Sequence, residues 1–206
     1  MKKILLTLCV VTASLTTFAQ TPTFGIRGGA NFSKLNISAS GTDISITSGT
    51  YTTFNAGVFA DFKFNNVSIQ PGLFATGKGG KFTSNLTDEN GNDIDGNATF
   101  KLLYLQVPVN VVYHAPVKGG EFYFGAGPFV GYGIDAKGSA SDGNTSQSAD
   151  LKFGGDGDFK TIDAGLNGIA GFKFTNGFMV NLNYDLGLTN IANESGEGKI
   201  KTRVFG

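Results

Sequence analysis

The chain is poor in the residues on which most enzymes and small secreted folds depend. In 206 residues there is one cysteine and one histidine. Cys9 lies in an N-terminal stretch that reads as a secretory signal: Lys2 and Lys3, an apolar run over residues 4–11, and Thr17-Phe18-Ala19 as a small-residue cleavage site. Residues 1–19 are therefore expected to leave as a signal peptide, and residues 20–206 to form one domain. That domain has no cysteine, which excludes a disulfide, a thiol nucleophile or a thiolate metal site. No later segment has 18 consecutive apolar residues, which excludes a helical membrane protein. Lys and Arg number 16 against 16 Asp and Glu, and the signal removes two lysines. No basic stripe remains, so nucleic acid is not an expected partner.

Catalytic motifs are also missing. A Ser-His-Asp arrangement needs its histidine beside a nucleophile. His114 falls in the short polar stretch HAPVKGG and reads as a solvated turn residue. There is no Gly-x-Ser-x-Gly elbow. Asp88, Asn90 and Asn92 have the spacing that opens an EF-hand. However, Asp93 stands where glycine is required and Thr99 where the bidentate glutamate belongs. Residues 154–158, GGDGD, touch on a calcium-binding Gly-Asp repeat, but Phe159 breaks it and nothing repeats. The expectation is no enzyme, no cofactor, and no catalytic, cofactor-binding or metal residues.

What the sequence does have is alternation. In FKLLYLQVPVNVVY, residues 100–113, Leu103, Leu105, Val107, Val109, Val111 and Tyr113 share one face, opposite Tyr104, Gln106, Pro108 and Asn110. This is the period of a strand. After the turn, Phe122, Phe124, Ala126, Pro128, Val130 and Tyr132 oppose Tyr123, Gly125, Gly127, Phe129 and Gly131. Similar runs are expected over residues 24–33, 53–63, 67–78, 161–174 and 178–188, with a short eighth from near Lys199. The connections alternate long and short, and residues 34–50, 79–97 and 135–158 are expected to be long polar loops. Each full run is long enough to cross a bilayer as a tilted strand of about 9–11 residues. The fold expected is all-β: an eight-stranded, up-and-down antiparallel transmembrane barrel with apolar residues facing lipid. Arg27, Asp61, Lys63, Lys78, Gln106, Asp163, Lys173 and Asp185 would face inward and pair. A barrel of this size is about filled by its own side chains, so a diffusion channel is not expected. The alternative is a secreted soluble β-barrel or sandwich that binds an apolar ligand, with Arg27, Asn55 and Asn183 turned outward.

Four segments are also familiar. FGIRGGANFS (24–33), YLQVPV (104–109), GAGPFVG (125–131) and YDLGLTNI (184–191) resemble, in order and spacing, the PorT-like outer-membrane β-barrel family. The resemblance implies an eight-stranded bacterial outer-membrane barrel, mostly without a defined activity. Its implied role is structural or surface-interacting. Its implied partners are outer-membrane lipid and an envelope protein or surface ligand on the long loops. Family members often end in a complete strand with a terminal aromatic. Here residues 202–206 read TRVFG. The last strand is therefore expected to be truncated and the first to keep much of one edge unpaired.

Overall fold

The computed structural model describes residues 21–39, 45–87, 93–141, 145–155, 157–193 and 198–206. Among them are ten strands: β1 (Thr23–Ala39), β2 (Ser45–Thr47), β3 (Tyr51–Phe64), β4 (Val67–Thr87), β5 (Asp93–Val117), β6 (Gly120–Ser141), β7 (Ser146–Leu151), β8 (Ile162–Phe174), β9 (Met179–Gly187) and β10 (Gly198–Phe205). Eight form a closed antiparallel ring in the order β1-β3-β4-β5-β6-β8-β9-β10 and back to β1. The short β2 and β7 fold back against β1 and β6 as flaps at the ring's edge. Where β10 meets β1, over residues 32–39, closure satisfies the backbone groups that an open edge would leave bare in hydrocarbon.

Three tight turns gather at one end. Each places a residue in the left-handed region, as two-residue hairpins require: Asn65 at φ 54°, Gly119 at φ 96° and Gly177 at φ 86°. Asn176 and Gly177 form the third of these turns. The side chain of Asn176 accepts from Phe178 N–H at 3.0 Å.

The other end departs from the sequence reading. Residues 34–50, 79–97 and 135–158 were expected to be polar loops, and much of each is strand instead. β4 runs on to Thr87, β5 begins at Asp93 and β6 continues to Ser141. These strands are paired along their full outer lengths. Ser, Thr and Asn bond across them, as in Thr83 to Asn97 at 3.0 Å and Ser139 to Ser148 at 3.1 Å. Composition rich in Ser, Gly and Asn concealed strands because their outer reach is polar on its exposed face. β5 has 25 residues, more than twice the bilayer requirement of about 9–11. Its surplus projects beyond the membrane.

The ring closes through β10. It pairs with β1 from Ala39 down to Phe32 and with β9 at Arg203–Leu186, Val204–Asp185 and Phe205–Tyr184. Gly206 and Asn183 exchange two further backbone bonds. Among the described residues, 23–31 of β1 pair with β3 alone. Closure is thus made at the loop end, and the expected free edge of β1 is confined to its first half.

Apolar residues face outward across the ring. Leu105, Val107, Val109, Val111 and Tyr113 are exposed, as are Phe122, Phe124, Val130 and Tyr132 on β6 and Val180, Leu182 and Tyr184 on β9. The opposite face of each strand is buried, including Asp61, Lys78, Gln106, Asn110, Asp163, Asn167 and Asp185. A soluble fold with an apolar interior, the alternative weighed above, has the reverse arrangement.

Candidate functional site

The interior has three levels. At the loop end the wall residues turn apolar. Leu35, Leu102, Tyr104, Ala136, Phe159 and Ile191 form a buried cluster, with Phe82, Phe100 and Phe153 packed on it. The rings meet edge to face, Tyr104 with Phe153 at 5.4 Å and Phe100 with Phe159 at 6.2 Å, a favoured aromatic geometry. Phe153 lies so close to β6 that a Cβ on Gly133 would stand 2.5 Å from its ring. The segment holding Phe153 and Phe159 is tied down by Asn193, whose amide donates to the carbonyls of Gly154, Gly155 and Gly157. This cluster was not expected from the sequence.

At mid-height the interior is polar. Lys78 Nζ and Asp163 Oδ2 are 2.8 Å apart, and both side chains are 0% exposed. They bridge β4 and β8 across the ring. Asp163 is held further by the hydroxyls of Thr189 and Thr202, each donating at 2.8 Å. The ammonium of Lys78 also lies 4.4 Å above the ring of Phe129 and 5.0 Å from that of Tyr104, a favourable place for a cation. Next to this pair, Asp185 accepts from Gln106 at 2.8 Å and from Asn167 at 2.5 Å, and Asn110 donates to Asn167 at 2.6 Å. Asn55 donates to Asn31. Buried charges persist only with such partners.

The turn end holds the remaining charges. Lys63 reaches Glu121 at 2.6 Å, and Lys173 approaches the same carboxylate at 3.8 Å. Arg27 donates to Gln70 at 2.9 Å and stacks on Phe59. The eight inward residues named from alternation thus all lie on the lumen side. His114 corrects the sequence reading. It is not a solvated turn residue, because β5 continues to Val117 and carries it to the inner wall, where it is buried. Its Nδ1 lies 3.1 Å from Glu121 and its Nε2 lies 2.9 Å from Ser68 Oγ. A carboxylate only accepts, so Nδ1 donates to Glu121, while Nε2 lies between Ser68 Oγ and Asp61 Oδ2, the latter at 3.9 Å. The order Ser-His-Glu is that of a hydrolytic relay. Here, however, Ser68 is fully buried, and Glu121 is already paired with two lysines.

The calcium-like residues Asp88, Asn90 and Asn92 lie outside the described residues. At 154–158, the carboxylate of Asp158 accepts from Lys152 N–H at 2.9 Å, a bond that shapes the local turn.

A closed ring of antiparallel strands, apolar without and polar within, defines a transmembrane β-barrel. The chain matches the profile of the outer membrane protein beta-barrel domain over residues 18–193, and it belongs to that family. Its place is accordingly the bacterial outer membrane. Among solved structures it is similar to Ail, the attachment invasion locus protein of Yersinia pestis, solved in complex with the heparin analogue sucrose octasulfate. Identity there is 15%, the match covers 91% of this chain and 97% of Ail, and the TM-score is 0.35. No curated protein matches the chain.

Proposed function

We propose that this protein is a non-conducting, non-enzymatic outer-membrane barrel that acts as a structural or surface-binding element. In this reading the PorT-like resemblance carries over, a cleaved signal directs export, and the projecting strands of β4, β5 and β6 face the cell exterior. The observation that carries it is the Lys78–Asp163 pair, 2.8 Å apart with no exposure. A continuous water path would have to pass this bridge, and opening it would strand two buried charges. The Ser68–His114–Glu121 chain serves in this reading to hold β4, β5 and β6 together at the turn end. The soluble, apolar-ligand alternative has no observation in its favour.

The test has two arms. Protein reconstituted in a planar bilayer is expected to give no discrete conductance steps. Protease added to intact cells is expected to nick residues 135–158 and spare residues 115–120. Stable single-channel steps would overturn the closed lumen. Cleavage at the tight turns of intact cells would reverse the orientation.

A further inference from the structure

Where β10 meets β1, the ring gathers cations on its outer face. Lys199, Lys201 and Arg203 alternate along β10 and are exposed, whereas Thr202 and Val204 are buried. β1 adds Lys34, also exposed, which stands directly opposite Arg203 in the register. Asn36 is opposite Lys201, and Ser38 is opposite Lys199. No basic stripe is expected from the sequence, and this seam makes one by joining strands from opposite ends of the chain. Neither strand carries an acidic residue. The one acid of neighbouring β9, Asp185, is buried. Among the described residues, none forms an ion pair or a side-chain hydrogen bond with these four cations.

Like charges directly opposite each other on a sheet are destabilising, so Lys34 and Arg203 oppose the fold unless an anion joins them. A second pair of this kind shows the difference. Lys101 and Lys137 are also opposite each other, but Asp135 lies 4.0 Å from Lys137 and Asp150 is its partner on β7. Height identifies the anion that the seam lacks. One step down the same face, Phe32 and Phe205 are register partners and exposed toward lipid. On β9 the partner of Arg203 is Leu186. Two residues along a strand tilted by about 40° rise about 5 Å, and the headgroup layer is about 5–8 Å deep on each side of the hydrocarbon. Lys34 and Arg203 therefore stand in the headgroup layer, with Lys201 and then Lys199 above them.

We propose that this seam binds an anionic lipid through its headgroup phosphate. Arg203 presents a planar fork that matches two phosphate oxygens, and Lys34 and Lys201 add point charges from either side. The acyl chains lie on Phe32, Phe205 and Leu186 below. A soluble polyanion has no use for an apolar floor directly beneath its charges, and that floor favours a lipid. The binding goes beyond the structural role proposed above. It holds whichever side of the membrane the loop end faces and is measured on purified protein, so either reading can fail without the other.

The experiment is calorimetric titration of the membrane-extracted protein, in a neutral maltoside detergent, with four probes: dioctanoyl phosphatidic acid, dioctanoyl phosphatidylcholine, inorganic phosphate and dextran sulfate. Phosphatidic acid is expected to bind at least about tenfold more tightly than the other three, since each cation near the headgroups is worth about fivefold. Lys34→Gln and Arg203→Gln should each weaken it about fivefold. Lys101→Gln, outside the seam, should leave it unchanged. Arg203→Glu separates binding from folding. It sets an acid opposite Lys34, so the free protein should resist urea at least as well as the native one, while phosphatidic acid binding falls about 25-fold or more. Heat-modifiable migration checks the folding of each variant. Phosphatidylcholine bound as tightly would overturn the role of charge, and inorganic phosphate bound as tightly would overturn the role of the chains. Tighter binding of dextran sulfate would overturn the lipid in favour of a soluble polyanion. Absence of phosphatidic acid binding, or binding indifferent to Arg203→Glu, would overturn the site.

Discussion

The loop end and the turn end of this barrel share strands but not chemistry, and β5 shows the change within a single element. Going up the inner face, His114, Asn110 and Gln106 are polar, interrupted by Val112 of a small apolar cluster with Tyr123 and Ile169, whereas Tyr104, Leu102 and Phe100 form or flank the larger aromatic cluster. The outer face inverts at the same height. Leu105 to Tyr113 present alternate apolar side chains, and Lys101 is exposed. The ladder between β5 and β6 is irregular at Leu103 and Tyr104, where it steps from Asp135 to Gly133 past Ile134. This bulge lets both Ile134 and Asp135 face outward and returns Ala136 to the interior. The solvent explains the inversion. In lipid the apolar residues belong outside, and in water they must be hidden inside. One end is therefore folded as a membrane protein and the other as a small soluble one. The bulge marks the change.

The comparison would break most sharply at the seam between the two regimes, where Lys78 and Asp163 meet. Asp163→Leu leaves the ammonium of Lys78 buried without its carboxylate and is expected to cost about 3–5 kcal/mol. Adding Lys78→Met should recover most of that loss. Urea unfolding in lipid vesicles measures both. A double variant no more stable than the single one would mean that the pair is not what holds this level together.

Next in size is the loop-end core. Leu102→Ala removes a side chain that is 3% exposed within the cluster and is expected to cost about 2–5 kcal/mol. The loss should appear first as faster proteolysis of the projecting strands, with the heat-modifiable barrel retained. Uniform loosening of both ends would show that the outer reach is not a separate unit.

The outer face is tested three residues away. Leu105→Arg places a charge toward lipid and is expected to cost about 2–4 kcal/mol near the bilayer midplane. Gln106→Arg should cost less, because Asp185 already lies 2.8 Å from the Gln106 amide. Matched losses at the two positions would contradict the assignment of faces.

Much of this was legible in the sequence, and the reason is the lipid. From Leu103 to Tyr113 one face is apolar and the other is not, so strand, register and facing follow together. The inward charges were legible for the same reason, since Lys78 and Asp185 interrupt otherwise apolar alternation. The loop-end core was hidden because Leu102 and Leu103 are both apolar and the parity of faces cannot be read across them. The bulge at Ile134 then shifts the count for β6. His114 was misplaced because its stretch contains Pro116, Lys118 and two glycines, a turn signature, and yet the ladder continues to Val117. Its partners Ser68 and Glu121 come from other strands, 46 residues before it and seven after, and no local pattern joins them.

The smallest effect expected is at Ser68, and it separates a structural relay from a catalytic one. Ser68→Ala removes the hydroxyl bonded to His114 Nε2. The imidazole stays buried and oriented by Glu121, so Nε2 loses one hydrogen-bond partner, at a cost of about 1–2 kcal/mol. Ser68→Cys, which keeps a weak donor of similar shape, should lie between the two. A nucleophile would behave differently. A fluorophosphonate probe would label the native protein at Ser68, and both variants would abolish that labelling regardless of stability. We expect no labelling of the folded native protein, because Ser68 has no exposed surface and Glu121 is engaged by two lysines. Stoichiometric labelling at Ser68 would convert this part of the turn end into an active site.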